Sequence, residues 1–175
     1  DKIHIKGGVD TISAGAGSDT LIVDFSAATG AVGINGLAGT AATGYAGNIS
    51  GLGIANFSGV ENFEITAGDF NDTITTGDGK DTINGGGGND VLSGGGDEDA
   101  FVFIGLSGHD EITDFEGGVD AIHISGWSGV DNFDDLEINQ SGTVATISNV
   151  SGDVNITLQG VDQQLVLGAE DFTFF

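Results

Sequence analysis

The chain has 175 residues, with 27 Asp or Glu against 3 Lys or Arg, a formal net charge of −24, 33 glycines, no proline and no cysteine. A negative field of that size repels nucleic acid and anionic membrane surfaces and attracts cations, and the lack of cysteine excludes a disulfide framework and thiolate metal sites. No apolar run reaches membrane-spanning length, while the 38% of apolar residues recur regularly, which argues for one folded domain or two small ones rather than a disordered tail.

Residues 1–23 place Asp1, Asp10 and Asp19 nine apart, each followed two residues later by Ile3, Ile12 or Leu21. The units read IKGGVDTIS and AGAGSDTLI. The chain opens at Asp1 rather than Met, so the expectation is a piece of a longer polypeptide. Residues 24–65 keep small and apolar residues but lose the aspartate period. From Asp19 to Asp72 is 53 residues, one short of six periods, so this stretch either continues the solenoid without metal or bulges out of it. Asn35, Asn48, Asn56 and Asn62 either stack and cap turns there or are exposed loop amides.

Residues 66–126 hold the clearest repeats. Asp72, Asp81, Asp90 and Asp99 are nine apart in AGDFNDTIT, TGDGKDTIN, GGGGNDVLS and GGGDEDAFV, with Ile74, Ile83, Leu92 and Phe101 two places on. The spacing then stretches. Asp110 lies eleven residues after Asp99 in GLSGHDEITDF, which keeps Gly105 and Gly108, and Asp120 follows in EGGVDAIHIS. Residues 127–175 alternate polar and apolar residues in LEINQ, VATISN, VNITLQ and FTFF, separated by turns at Gly142 and SGD. They read as antiparallel strands capping the solenoid.

The nine-residue unit resembles the G-G-x-G-x-D-x-U-x pattern of calcium-binding RTX proteins, where U is a large apolar residue. GGGGNDVLS fits every specified position, while Phe70 and Asp97 replace the fourth glycine in their units. Asp97 tolerates a positive φ there; Phe70 would do so only at a cost. The Val60-Glu61-Asn62 segment resembles the lead-in to a repeat block in bacterial RTX proteins. EITDF and GVDAIHIS resemble the end of the repeat region in serralysin-type secreted proteases. ITLQGV with EDFTFF resembles the ends of those proteases and of alginate-epimerase R-modules.

The resemblance implies an all-β fold: a right-handed parallel β-roll or β-helix solenoid, two nonapeptides per coil, with an antiparallel C-terminal cap. It further implies a secreted bacterial protein, exported by type I secretion machinery through an uncleaved C-terminal signal and folded by several calcium ions outside the cell.

The chemistry is consistent with that implication. Calcium takes about six to eight oxygens at about 2.3–2.6 Å from carboxylates and carbonyls. A glycine-rich turn can point several carbonyls inward, because glycine readily adopts positive φ. One such turn supplies about half a coordination sphere, and a second turn stacked at about 4.8 Å completes it.

In the family's arrangement, carbonyls two and four and Asp six of one turn meet carbonyls one and three and Asp six of the turn 18 residues on. The resemblance thereby implies one site from Gly68, Phe70, Asp72, Gly85, Gly87 and Asp90, and a second from Gly77, Gly79, Asp81, Gly94, Gly96 and Asp99. A third joins Gly86, Gly88 and Asp90 to Gly105, Ser107 and Asp110, and a fourth joins Gly95, Asp97 and Asp99 to Gly117 and Asp120. At the amino end Asp1 and Asp19, 18 apart, form a site with the Ala14 and Ala16 carbonyls. Gly8 and Asp10 belong to a turn whose site the insert completes or which is absent, since Ala28 stands 18 residues after Asp10. The expected total is about four to six ions.

Other readings of the same residues are weaker. A linker does not explain phased aspartates. A phosphate-binding loop needs G-x-x-x-x-G-K-[ST] before a helix, and Asn89-Asp90 and a β-like VLS follow instead. His4, His109 and His123 are the only histidines and form no H-E-x-x-H. His4 and His123 are expected outward on strands rather than as a zinc pair. Asp134 and Asp135 read as turn acids rather than glycosidase carboxylates, and Trp127 as a core anchor rather than a sugar platform.

No catalytic residue is therefore assigned, and any enzymatic activity is expected upstream of Asp1. Two like charges near 4 Å repel by roughly 4 kcal/mol at an effective dielectric of 20. Several such pairs rival a domain's whole stability of about 5–15 kcal/mol, so the roll is expected to fold only with calcium. Beside a folding and secretion module stands the alternative of a polysaccharide- or surface-binding domain. Against anionic alginate it would have only Lys2, Lys6 and Lys80.

Overall fold

Each nonapeptide turns over six residues and extends over three, so only the central residue of the triplet can point inward. That single rule builds the core. In the computed structural model the first strands are β1 (Lys2–Ile5), β2 (Gly8–Ser13), β3 (Thr20–Asp24), β4 (Gly33–Thr40), β5 (Gly44–Ser50), β6 (Gly53–Val60) and β7 (Asn62–Thr66). The central repeats form β8 (Thr73–Thr75), β9 (Thr82–Asn84), β10 (Val91–Ser93) and β11 (Ala100–Ile104). There follow β12 (His109–Phe115), β13 (Ala121–Ser125), β14 (Glu137–Ser141), β15 (Val144–Ser148), β16 (Asn155–Gly160) and β17 (Phe172–Phe174). The structure describes all residues except 7, 52, 106 and 162–164, and the side chains of all of these except 35, 36 and 53–55.

Consecutive repeat strands alternate between two sheets. One runs β1-β3-β7-β9-β11-β13-β17, and the other contains β12-β10-β8. Within each sheet the repeat strands pair in parallel with apolar residues in register: Ile74 with Leu92, Leu92 with Ile112, Ile83 with Phe101, and Phe101 with Ile122. Those residues are all fully buried between the sheets. The chain is thus all-β, a parallel solenoid with two strands per coil, as the nine-residue period predicts.

Residues 24–65 both continue the solenoid and leave it. β7 pairs in parallel with β3 and β9, carrying one sheet through. β4, β5 and β6 form an antiparallel meander in the other sheet, attached in parallel to β8 at one side and β2 at the other. Asn35 pairs with Asn48, and Asn48 with Asn56, so three of the four asparagines form a row across this meander. The side chain of Asn35 lies outside the described set. Phe57 packs edge-on against Phe63 with ring centroids 5.4 Å apart, tying the meander to the core.

β14, β15 and β16 are antiparallel, as the alternation predicts. The carboxy end also rejoins the roll: β16 pairs in parallel with β12, and β17, the FTF of the terminal segment, pairs in parallel with β13. Trp127 is 3% exposed and lies edge-on to Phe103 at 6.5 Å, a core anchor between roll and cap.

Candidate metal centre

The turns between these strands stack into two ladders, one entering each sheet. On the β8-β10-β12 side, the Asp72 N–H donates to Asp90 Oδ1 at 2.9 Å, and the Asp90 N–H to Asp110 Oδ1 at 3.0 Å. On the β9-β11-β13 side, the Asp81 N–H donates to Asp99 Oδ1 at 3.0 Å, and the Asp99 N–H to Asp120 Oδ1 at 3.1 Å. The sequence separations are 18 and 20 residues on the first side, and 18 and 21 on the second. The stretched units after Asp99 therefore keep the stacking and take up their extra residues in longer strands, β11 (Ala100–Ile104) and β12 (His109–Phe115). The turns 85–90 and 94–99, adjacent in sequence, lie in different ladders.

The ladders use one carboxylate oxygen and leave the other. Oδ2 of Asp19, Asp72, Asp81, Asp90, Asp99 and Asp110 is buried with no hydrogen-bond partner. An anionic oxygen without a partner in the interior is costly. No side-chain cation compensates: Lys2, Lys6 and Lys80 pair at the surface with Glu64, Asp24 and Glu98.

Burial pushes the Asp81 carboxyl up to about 7. It does the same for Asp90, to about 7, with the Asp110 and Asp72 charges adding to it. Asp99 is raised to about 8 by burial, then by Asp81, Asp120 and Asp114. Burial raises Asp110 to about 6 and also raises Asp72.

The glycine positions fit this packing. Positions two and four of the turns at 14, 76, 85 and 94 are left-handed at Gly15, Gly17, Gly77, Gly79, Gly86, Gly88, Gly95 and Asp97, the last with φ 71. A Cβ on Gly88 would lie 2.7 Å from the Phe70 carbonyl, so the turns stack backbone on backbone. A Cβ on Gly85 or Gly94 would fill the space occupied by Oδ2 of Asp90 or Asp99. In the turn 67–72 neither Gly68 nor Phe70 takes a positive φ, so Phe70 avoids the strain by reshaping the loop and is 43% exposed. The Gly87 N–H still bonds the Gly68 carbonyl at 2.8 Å, and the Gly77 and Gly79 N–H groups bond the Gly94 and Gly96 carbonyls. The 68–72/85–90 and 77–81/94–99 pairs are therefore assembled.

Gly88 bridges Gly108, bringing the turn of buried Ser107 and Asp110 onto 85–90. Gly105 sits elsewhere, its N–H bonded to the Ser125 carbonyl at 2.7 Å. Beyond Asp99 the arrangement changes. Asp120 Oδ2 accepts the Glu116 N–H at 2.8 Å, so both its oxygens are used. Gly117 lies in a tight turn closed by bonds from Val119 and Asp120 to the Glu116 carbonyl, beside Val166. Gly95, Asp97 and Asp99 thus face a turn without a free carboxylate oxygen.

At the amino end the Asp1 nitrogen lies 2.6 Å from Asp19 Oδ1, the ladder position, and Thr20 N–H bonds the Asp1 carbonyl. Ala14 and Ala16 stand in that turn. Gly8 and Asp10, by contrast, are inside β2, where Asp10 pairs with Ala55. Among the described residues no second carboxylate is brought to Asp10, because the insert supplies a strand at that place rather than a turn.

Three acids that the period does not mark also take part. Glu61 Oε2 accepts the Asp19 N–H at 2.8 Å. Asp114 accepts from Ser93 Oγ and from the N–H groups of Gly94 and Gly95, clamping the start of the 94–99 turn. Asp171, 1% exposed, accepts the Gly118 and Gly168 N–H groups, both at 2.7 Å. Asn62 caps two turns, accepting the Lys80 N–H and donating to Ser18 Oγ.

His4 is exposed on β1 and His123 half-buried on β13, five strands apart in one sheet, or about 24 Å at the usual strand spacing. That distance excludes a shared zinc. Asp135 accepts the N–H groups of Asp131 and Asn132, the work of a turn acid.

Buried aspartates held by backbone and stacked with glycine turns form rows of oxygen donors of the kind hard cations take. The family model described as the RTX calcium-binding nonapeptide repeat matches residues 6–24 and 66–100. The chain carries RTX calcium-binding repeats. No curated protein matches it. Among solved structures, the extracellular lipase LipA from Serratia marcescens is similar at 16% identity and a TM-score of 0.45, over 98% of this chain and 37% of that one. The chain therefore spans about a third of the length of that lipase.

Proposed function

We propose that this chain is a calcium-folded module of a secreted bacterial protein, with calcium held between stacked turns. The observation that carries the reading is the row of buried, unpartnered Oδ2 atoms on Asp19, Asp72, Asp81, Asp90, Asp99 and Asp110. In the turns of Asp90 and Asp99, a Cβ on Gly85 or Gly94 would fall on Oδ2 itself, so only glycine fits there. Together with the turn carbonyls these oxygens make a hard, all-oxygen donor set of the kind calcium prefers over softer metals. Calcium supplies the countercharge that the chain's own lysines, paired at the surface, do not.

Folding is then linked to metal. In low calcium the acidic turns repel and the repeat region is largely unfolded, a state suited to passage through a type I secretion channel. In millimolar calcium outside the cell the coils close. No helix among the described residues is long and apolar enough to cross a membrane. On this reading the segment is not itself an enzyme; any catalytic activity belongs to another part of its protein.

Far-UV circular dichroism in EGTA and then in millimolar calcium tests the reading, with calorimetry for the stoichiometry. The β spectrum is expected to appear on calcium addition with about four to six ions bound; an unchanged β spectrum would sink it. Deleting residues 170–175 tests export. Secretion is expected to stop, whereas Asp171→Asn, which perturbs the fold but keeps the terminal hydrophobic residues, is expected to be exported.

A further inference from the structure

Asp19 has no aspartate one regular coil ahead of it; residue 37 is Leu37. Its N–H is nevertheless taken by a carboxylate, Glu61 Oε2 at 2.8 Å, as the Asp72 N–H is taken by Asp90. The Glu61 and Asn62 N–H groups return bonds to the Asp19 carbonyl at 3.2 and 3.0 Å. The strand register agrees. Leu21 pairs with Phe63, so Glu61 stands two residues before its core residue, as Asp19 does before Leu21.

Two residues before Glu61, Gly59 has φ 71, in the left-handed region used at the fourth place of the regular turns. A Cβ there would lie 3.0 Å from the Gly15 carbonyl oxygen, so the end of β6 and the turn 14–19 are packed backbone on backbone. Residues 56–60 are the end of β6, paired with β2 and β5, and Glu61 follows them in the aspartate's place. They fall in the gap between the matched repeats, 6–24 and 66–100.

We infer that a further calcium site lies between the turn 14–19 and the end of β6, with Asp19 and Glu61 as its two carboxylates. Asp19 is 2% exposed, and its Oδ2 is buried without a partner. Its Oδ1 meets only the Asp1 nitrogen, and the nearby lysines, Lys2 and Lys6, are held by Glu64 and Asp24. The carbonyls of Gly15 and Gly17 stand at the turn positions that supply oxygens between stacked repeats, and the Ala14 N–H bonds the Ser58 carbonyl of β6 at 2.9 Å, holding the turn against that strand. The second carboxylate also explains why the insert needs no aspartate period: Glu61 reaches the same place with one methylene more. Metal here fastens the meander β4–β6 to the amino-terminal coil, so the insert docks only when calcium is present.

This site rests on the calcium reading of the regular turns, and the test separates the two. Native mass spectrometry and calorimetry on the unmodified chain and on Glu61→Gln count the ions. Glutamine keeps an acceptor for the Asp19 N–H but removes the charge. The variant is expected to bind one ion fewer.

An unmodified chain that binds no calcium overturns both readings. A chain that binds calcium with the same stoichiometry in Glu61→Gln overturns this one alone. If the variant fails to fold, anomalous diffraction from terbium-loaded crystals of the unmodified chain decides. A peak between Asp19 and Glu61 supports the site, and peaks only between the regular turns overturn it.

Discussion

Asp90 and Asp171 are both buried aspartates in the turns of one solenoid, yet the two ends of the molecule treat them differently. Asp90 gives Oδ1 to a backbone N–H of the neighbouring coil and holds Oδ2 empty. Asp171 has each oxygen on a backbone N–H, from Gly118 and Gly168, and Asp120 is likewise saturated by Asp99 and Glu116. The central roll therefore leaves one oxygen of each ladder carboxylate without a protein partner. The carboxy-terminal coils satisfy their acids from within. On the proposed reading, metal dependence belongs to particular turns rather than to acidity in general, and it should follow the unpartnered oxygens along the chain.

The largest expected effect is on removing calcium. Hydrogen exchange followed with and without EGTA should show amides of residues 67–99 losing protection by about a thousandfold or more. That corresponds to the roughly 4 kcal/mol cost of one close like-charge pair at an effective dielectric of 20. The antiparallel pairs of β14, β15 and β16 should change far less. Uniform loss across the whole chain would break the comparison.

Substitution sharpens it at single residues. Asp90→Asn should remove at least one ion from the calorimetric count and lower the calcium-loaded melting temperature. Asp171→Asn should leave the ion count intact. It should destabilise by roughly 1–3 kcal/mol, since the amide turns a donor toward an N–H that needs an acceptor. A drop in ion count for Asp171→Asn would contradict the division.

Proton binding gives a third measure. In the metal-free chain the Asp81, Asp90 and Asp99 carboxyls titrate at about 7, 7 and 8, all raised foremost by burial. Their unfolded value is about 3.9. A folded pKa above the unfolded one means the folded state binds more protons, so these groups favour folding fully below about pH 4. That contribution is lost as pH rises through 6 to 8. The EGTA-treated chain should accordingly gain β signal as pH is lowered from 8 to 5, while calcium affinity falls over the same range as protons compete for the same oxygens. A chelated chain whose spectrum is flat across that range would argue against burial as the source of the instability.

Much of this was legible in the sequence because a nine-residue period is a geometric statement. Asp-x-U at fixed spacing puts a carboxylate at each turn and an apolar residue in each core layer. Leu21, Ile74, Ile83, Leu92 and Phe101 occupy those layers. Glu61, Asp114 and Asp171 were illegible for the opposite reason. Each finds its partner through the fold, at separations of 42, about 20 and 53 residues that no repeat enforces. Glu61 left the one readable trace, Glu61-Asn62-Phe63 standing as E-x-U in place of D-x-U. The parallel pairing of β17 was hidden because FTFF alternates equally well in either strand direction. Asp10 kept the period but lost the turn, since the insert offered β2 a strand partner in β6.

The smallest effect concerns backbone rather than charge. Asp97 is the one non-glycine residue with positive φ among the described residues, at 71°, standing where the pattern has its fourth glycine. Its side chain is exposed, so replacing it removes no buried contact. A left-handed residue bearing a Cβ costs roughly 1–2 kcal/mol, less for Asp than for most. Glycine at this position loses more entropy on folding, which offsets part of the gain. Asp97→Gly should therefore stabilise the calcium-loaded chain by about 0.5–1 kcal/mol in denaturant titrations, with the ion count unchanged. If, as proposed, this turn forms only around calcium, the gain should be absent from any residual structure in EGTA. A stabilisation of equal size in both conditions would place the 94–99 turn among the elements that fold without metal, and would move the boundary between the two regions toward the amino end.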